Sequence, residues 1–205
     1  MATPGTIRIA VVVGSSRPGR RADQVAEWLM GIARRRDTPE VEYRLVDLAD
    51  DPLPLFDEEL PPMAGSYTNE HTQRWANTVE RFDGFVFVTP EYNHSFPAVL
   101  KNAIDYLYAE WNDKAAAFVS YGVAGGTRAV EQLRLVLAEV KVASVRSQVG
   151  LTLATDFATG SGTCAPGRHH RDAADRMLDE LVAWAGALKR LRDAPATEQV
   201  LAGNR

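Results

Sequence analysis

Short apolar runs alternate with helical patterns along this chain. Residues 7–13 form a β-branched run that ends in Gly14, which predicts a buried parallel strand. Over 20–35, Ala22, Val25, Ala26, Leu29 and Ala33 fall at helical spacing, so a helix is expected. Arg34 and Arg35 suit its C-terminal carbonyls, and Pro39 blocks continuation. Residues 41–47 alternate and predict a second strand. Residues 50–67 carry Pro52, Pro54, Pro61 and Pro62 among acidic residues, the pattern of an irregular surface loop. A helix follows over 68–81. Strands are then expected at 85–89, 115–121 and 143–151, separated by helices at 96–108 and 126–140. Pro97 stands in the first turn of its helix, where a missing N–H costs little. A Gly/Thr/Ser-rich loop covers 154–167. The last helix is expected over 168–192, with Ala174, Met177, Leu178, Leu181, Ala185 and Leu188 on one face.

Five strands joined by helical crossovers imply an α/β fold, a parallel sheet covered on both faces. Residues 1–192 read as one domain, and the tail from 193 to 205 is expected to fray. No internal repeat or linker stands out.

Composition narrows the function. The 205 residues are 45% hydrophobic and 24% charged, with a net charge of −4. That balance does not suggest a nucleic-acid or membrane-surface partner. Cys164 is the only cysteine, so no internal disulfide forms and a reducing, cytoplasmic setting is expected. The sequence shows neither a signal-peptide pattern nor an apolar stretch of membrane-spanning length.

In an open parallel sheet, ligands bind beyond the carboxyl ends of the strands. Three segments there are unusual. After the first strand comes Gly14-Ser15-Ser16-Arg17-Pro18-Gly19-Arg20. Glycines let successive N–H groups face one concavity, and the next helix adds its positive end. Hydroxyls and the Arg17 guanidinium suit phosphate oxygens. The glycine spacing matches neither a Walker loop nor a dinucleotide fingerprint; an ordinary strand-to-helix turn is the alternative. After the third strand, Thr89-Pro90-Glu91-Tyr92-Asn93-His94-Ser95-Phe96-Pro97 offers Tyr92 to flank a flat ring and Asn93 to bond its polar edge. His94 is open to an acid–base role, but a loop-fixing or solvent-exposed histidine is favoured. Glu91 suits either ligand or loop. After the fourth strand, Ser120-Tyr121-Gly122-Val123-Ala124-Gly125-Gly126 allows close approach of a ligand to backbone, or simply a tight turn.

Together these segments resemble the NADPH-dependent FMN reductase family, with the middle motif running on through Ala98-Val99-Leu100-Lys101-Asn102-Ala103-Ile104-Asp105-Tyr106. The resemblance spans about residues 6–150. It implies a flavodoxin-like three-layer α/β/α sandwich, a five-stranded parallel sheet of order 2-1-3-4-5, and noncovalent FMN. By that analogy Ser15, Ser16, Arg17, Gly19 and Arg20 surround the phosphate. Pro90, Glu91, Tyr92, Asn93, Ser120, Gly122, Gly125 and Gly126 border the ring. The sequence departs from the family at Arg20, where many relatives have serine, and at Ala22, near which they have asparagine. Arg20 would therefore either pair with the phosphate or point away. The implied chemistry is a two-electron ping-pong cycle: NADPH or NADH reduces the flavin, and a quinone, azo compound, free flavin or similar small-molecule acceptor takes the electrons. The cofactor carries the difficult step, and no side chain is assigned a catalytic role.

The resemblance also implies a homodimer or homotetramer, for which Asn102, Asp105 and Tyr106 are candidate contacts. Trp28, Trp75, Trp111 and Trp184 read as packing or interface residues. Cys164 with His169 and His170 makes a poor metal site. Two other function classes compete with the enzyme: an electron carrier of the flavodoxin type, and a flavin-binding regulatory protein. The first would favour a strongly acidic docking face, which the mild charge does not supply.

Overall fold

A computed structural model describes residues 5–194. Five strands form the sheet: β1 (Ile7–Val13), β2 (Val41–Asp47), β3 (Gly84–Pro90), β4 (Lys114–Gly122) and β5 (Val142–Thr152). All neighbours pair parallel in the order β2-β1-β3-β4-β5, the flavodoxin-like arrangement. The helices are α1 (Ala22–Ala33), α2 (Glu70–Glu80), α3 (Ala98–Asp105), α4 (Thr127–Glu139) and α5 (Arg168–Asp193). The part of the expected tail beyond Ala194 lies outside the described residues.

The period-two geometry of a strand splits the sheet between two cores. Ile9, Val11, Val13, Val86, Val88, Ala117 and Val119 face α1 and α5. Ala10, Val12, Phe85, Phe87, Ala116 and Phe118 face α2, α3 and α4. β3 and β4 are buried along their whole length, which is why they read as unbroken apolar runs. Trp75 and Trp111 are core residues; their ring N–H groups donate to the carbonyls of Ala103 and Ile104. Trp28 packs against the other core, and Trp184 is half exposed.

Helix bounds differ from the sequence reading. The helix expected at 20–35 begins at Ala22 because Arg20 and Arg21 belong to the preceding loop. The one expected at 96–108 covers only Ala98–Asp105, followed by turns at Leu107 and Trp111. The 50–67 loop is irregular apart from a single 3₁₀ turn at Pro62–Ala64. Asn102 and Tyr106 hold that loop rather than facing outward. The Asn102 side chain donates to the Pro54 carbonyl (2.7 Å) and accepts from Phe56 N–H (3.0 Å). The buried Tyr106 donates to Asp57 (2.8 Å). Asp105 pairs with Lys101 one turn earlier.

At the N-terminal ends of the strands, buried Asp83 accepts from Arg8 N–H (2.9 Å), Lys189 (3.0 Å) and Arg192 (2.6 Å). This clamp fixes the lower end of α5 against β1 and β3. It leaves the carboxyl ends of the strands as the place where loops are free to build a site.

Candidate flavin site

A cleft of about 410 Å³ opens there, lined by Arg17, Gly19, Arg20, Arg21, Pro90, Glu91, Tyr92, Tyr121, Gly122 and Leu153. A larger open groove, about 720 Å³, runs along the outer edge of β2 beside Arg44 and Arg81. That groove includes Thr6, Arg8 and Pro39 at the N-terminal ends of β1 and β2, opposite the carboxyl ends where ligands of such sheets bind, so the smaller cleft is the chemically equipped one.

Its floor begins at Gly14, whose N–H donates to the Val88 carbonyl at 2.9 Å. A Cβ at this position would lie 2.9 Å from both that oxygen and a Leu100 methyl. Only glycine lets the chain leave β1 so close to β3 and α3. The next residues wrap tightly: Arg20 N–H donates to the Arg17 carbonyl (3.0 Å). Ser15 is buried, and its hydroxyl bonds that of Tyr92 across the cleft floor (3.1 Å). Ser16, Arg17 and Gly19 are exposed. Arg20 is committed within the chain. Its guanidinium forms a two-pronged ion pair with Asp47 at the end of β2 and donates to the Ser15 carbonyl (2.6 Å). It braces the loop it belongs to. The helix that follows, α1, has no side-chain cap on its N-terminus.

The segment after β3 is a two-residue hairpin. Tyr92 N–H donates to Ser95 O (2.8 Å) and Ser95 N–H returns to Tyr92 O (3.0 Å). Asn93 and His94 take φ of +49° and +69°, the turn whose twist suits a hairpin. Asn93 stands at the tip, outside the cleft lining. Glu91 is anchored by an ion pair with Arg128, whose backbone N–H it also accepts (3.2 Å). Burial opposes its ionisation, but Arg128 and the N–H groups of Arg128 and Ala129 outweigh it and hold the carboxyl below its usual range. Arg128 also donates to His94 Nε2 (2.8 Å). Glu91 thus caps α4, and His94 fixes the loop.

The third segment turns on Gly125 and Gly126, at φ +70° and +72°. Ser120 is fully buried, and its hydroxyl donates to the Gly125 carbonyl (2.7 Å). Ser120, Gly125 and Gly126 therefore shape the turn from behind, while Gly122 faces the cleft.

Three lining residues were not singled out from sequence. Tyr121 is buried beside Phe157, and burial raises its phenol pKa. Leu153 follows β5 and is partly exposed. Arg21 is half-buried. Arg21 directly follows the Gly14–Arg20 segment, and nothing in the sequence marks it as part of the wall. The 153–167 segment that brings these residues in is tied down by Cys164 N–H to Gln24 Oε1 (2.9 Å) and by His170 with Asp156 (3.0 Å). Burial pushes the Cys164 thiol up to about 11. These residues serve the segment's anchoring.

The cleft fits FMN. An uncapped helix N-terminus and the Arg17 guanidinium, which has no carboxylate partner among the described residues, suit a phosphate. Tyr92, Pro90, Gly122 and Leu153 suit a flat apolar ring.

Comparison with known proteins agrees. Residues 7–156 match the family described as NADPH-dependent FMN reductase. An NAD(P)H-dependent FMN reductase of Schizosaccharomyces pombe is 43% identical over 153 residues, covering 74% of this chain and 76% of that protein. A quinone reductase of Pseudomonas putida is 36% identical over 133 residues, 62% of this chain and 67% of its own. Among solved structures, the flavoenzyme NAD(P)H:(acceptor) oxidoreductase FerB of Paracoccus denitrificans superposes with a TM-score of 0.67 at 26% identity, covering 87% of this chain and 98% of that one. With the matched region spanning all three cleft-forming segments, the chain belongs to the NADPH-dependent FMN reductase family.

Proposed function

We propose that this FMN-dependent NAD(P)H oxidoreductase delivers its electrons to a quinone, azo compound, free flavin or similar small acceptor in a ping-pong cycle. The observation that supports this most is one cleft uniting an uncapped α1 N-terminus and the Arg17 guanidinium with the Tyr92, Gly122 and Leu153 wall. Bound FMN supplies a two-electron couple that accepts reducing equivalents from a nicotinamide and passes them on. The chain's own residues bind and orient. Ser15, Ser16, Arg17 and Gly19 hold the phosphate end, while Arg20 stiffens their loop through Asp47. Pro90, Tyr92 and Gly122 border the ring, with Glu91, Ser120, Gly125 and Gly126 setting the position of that border. Asn93 sits at the hairpin tip, within reach of an acceptor entering from solvent. No side-chain acid or base is needed, and no catalytic residue is assigned.

A homodimer or homotetramer belongs to the same reading. It is supported by Leu55 and Met63, 83% and 66% exposed on the 50–67 loop, with Phe56 and Leu60 beside them. A cytoplasmic setting is supported by the single, half-buried cysteine. Among the described residues no helix is long and apolar enough to cross a membrane.

The test is steady-state oxidation of NADPH and NADH by FMN-loaded protein with a benzoquinone, an azo dye and free FMN as acceptors. Turnover with at least one pair is expected. Absence of turnover with every pair overturns the enzyme reading, and a protein that takes up no FMN overturns the site.

A further inference from the structure

The three arginines that line the cleft differ in how they are partnered. Arg20 is neutralised by Asp47. Arg17 and Arg21 have no carboxylate partner among the described residues. They also lie in different surroundings. Arg20 and Arg21 are adjacent in sequence, yet their side chains diverge. Arg20 reaches the end of β2, on one side of β1. Arg21 reaches the opposite side, where its guanidinium carbon stands 4.9 Å over the ring of Phe157, in the segment after β5.

The Arg21 head group is held in place there. Gly162 packs so closely that a Cβ at that position would lie 3.1 Å from a guanidinium nitrogen. Stacking on an aromatic face fixes an arginine while leaving its in-plane N–H donors free. The donors of Arg21 make no hydrogen bond within the chain among the described residues. A half-buried, preorganised guanidinium with unused donors is equipped to bind an anion. The Ser15–Gly19 turn is the phosphate side of the cleft, whereas the Arg21 head group lies over Phe157, whose ring packs against Tyr121 of the wall.

We propose that Arg21 is a second anion-binding group of this cleft, which takes a phosphate of the incoming nicotinamide dinucleotide while Arg17 serves FMN. This rests on the flavin-site reading above and adds a residue that determines co-substrate affinity. Gly162 and Phe157 act as positioning residues for it.

The experiment is a pair of titrations on Arg21→Gln, Arg21→Lys and wild type. FMN is titrated into apoprotein by fluorescence quenching. NADP+, which binds without turnover, is titrated into FMN-loaded protein by its perturbation of the flavin spectrum. Arg21→Gln is expected to weaken NADP+ by about tenfold or more, the loss of a charged hydrogen bond, and to leave FMN affinity within about threefold. Arg21→Lys keeps the charge and is expected to recover part of the loss. Raising the salt concentration should weaken NADP+ binding more in wild type than in Arg21→Gln, a response that a packing role would not produce. Loss of FMN affinity with NADP+ affinity unchanged overturns the proposal and places Arg21 in the FMN cradle. Unchanged affinities for both, or wild-type FMN-loaded protein that binds no NADP+, also overturn it. NADP+ binding lost in Arg21→Gln, in a protein without turnover, would sink the enzyme reading and leave this inference standing.

Discussion

Replacing Gly126 by alanine tests whether the turn after β4 is built on backbone geometry that no side chain tolerates. Gly126 holds φ +72° at the N-terminus of α4. An L residue in that left-handed region costs about 1–2 kcal/mol. The added Cβ would also lie 2.7 Å from Ser120 Cβ and 2.8 Å from Tyr121 N. Those atoms belong to β4, paired with Thr89 on one side and Gly150 on the other, so they cannot yield without disturbing two ladders. Overpacking of this kind adds about 1–3 kcal/mol. The sum is about 2–5 kcal/mol. For a chain of this size, that lowers Tm by roughly 4–20 °C, at about 2–4 °C per kcal/mol. FMN affinity should fall with it, because the same turn carries Gly122 to the cleft. Gly19→Ala is the control: φ there is +67°, but a Cβ meets nothing within 4 Å. Thermal melts of the apoproteins and FMN titrations of both variants provide the comparison. If Gly126→Ala melts no lower than Gly19→Ala and binds FMN like wild type, the overlap argument is wrong.

Arg17→Ala should weaken FMN by about 1–3 kcal/mol, the range for a charged hydrogen bond; unchanged affinity in a fluorescence titration removes Arg17 from the site. Asp83→Asn leaves Lys189 and Arg192 without their shared carboxylate. Urea unfolding should show a loss of about 2–4 kcal/mol, below the fully buried case because both cations are partly exposed; a loss under about 0.5 kcal/mol contradicts the clamp. Glu91 has its carboxyl pKa depressed below the ordinary 4.5, so its stabilising contribution is complete above that pH and is lost as pH falls through the lower folded-state value. Glu91→Gln should lack this component of acid destabilisation in urea melts between neutral pH and about pH 3. Identical pH profiles for the two proteins would refute it.

Strand positions were legible because a parallel strand covered on both faces must be apolar at nearly every residue, as 85–89 and 115–121 are. Helix ends were less so. Leu107 is as apolar as a helix face but is buried on a turn, and periodicity cannot separate the two. The bonds by which Asn102 and Tyr106 hold the 50–67 loop were not legible either. That loop has no period to predict its path.

By itself the sequence determined the strands, their helical crossovers and the three unusual segments that follow β1, β3 and β4, because burial and turn chemistry act over a few neighbouring residues. Tertiary structure alone decided how the arginines divide their work. Arg20 and Arg21 are the same side chain at adjacent positions. One meets Asp47 and is neutralised; the other meets Phe157 and keeps its donors free. Asp47 and Phe157 are far from them along the chain, and only the order of strands in the sheet brings each to its arginine.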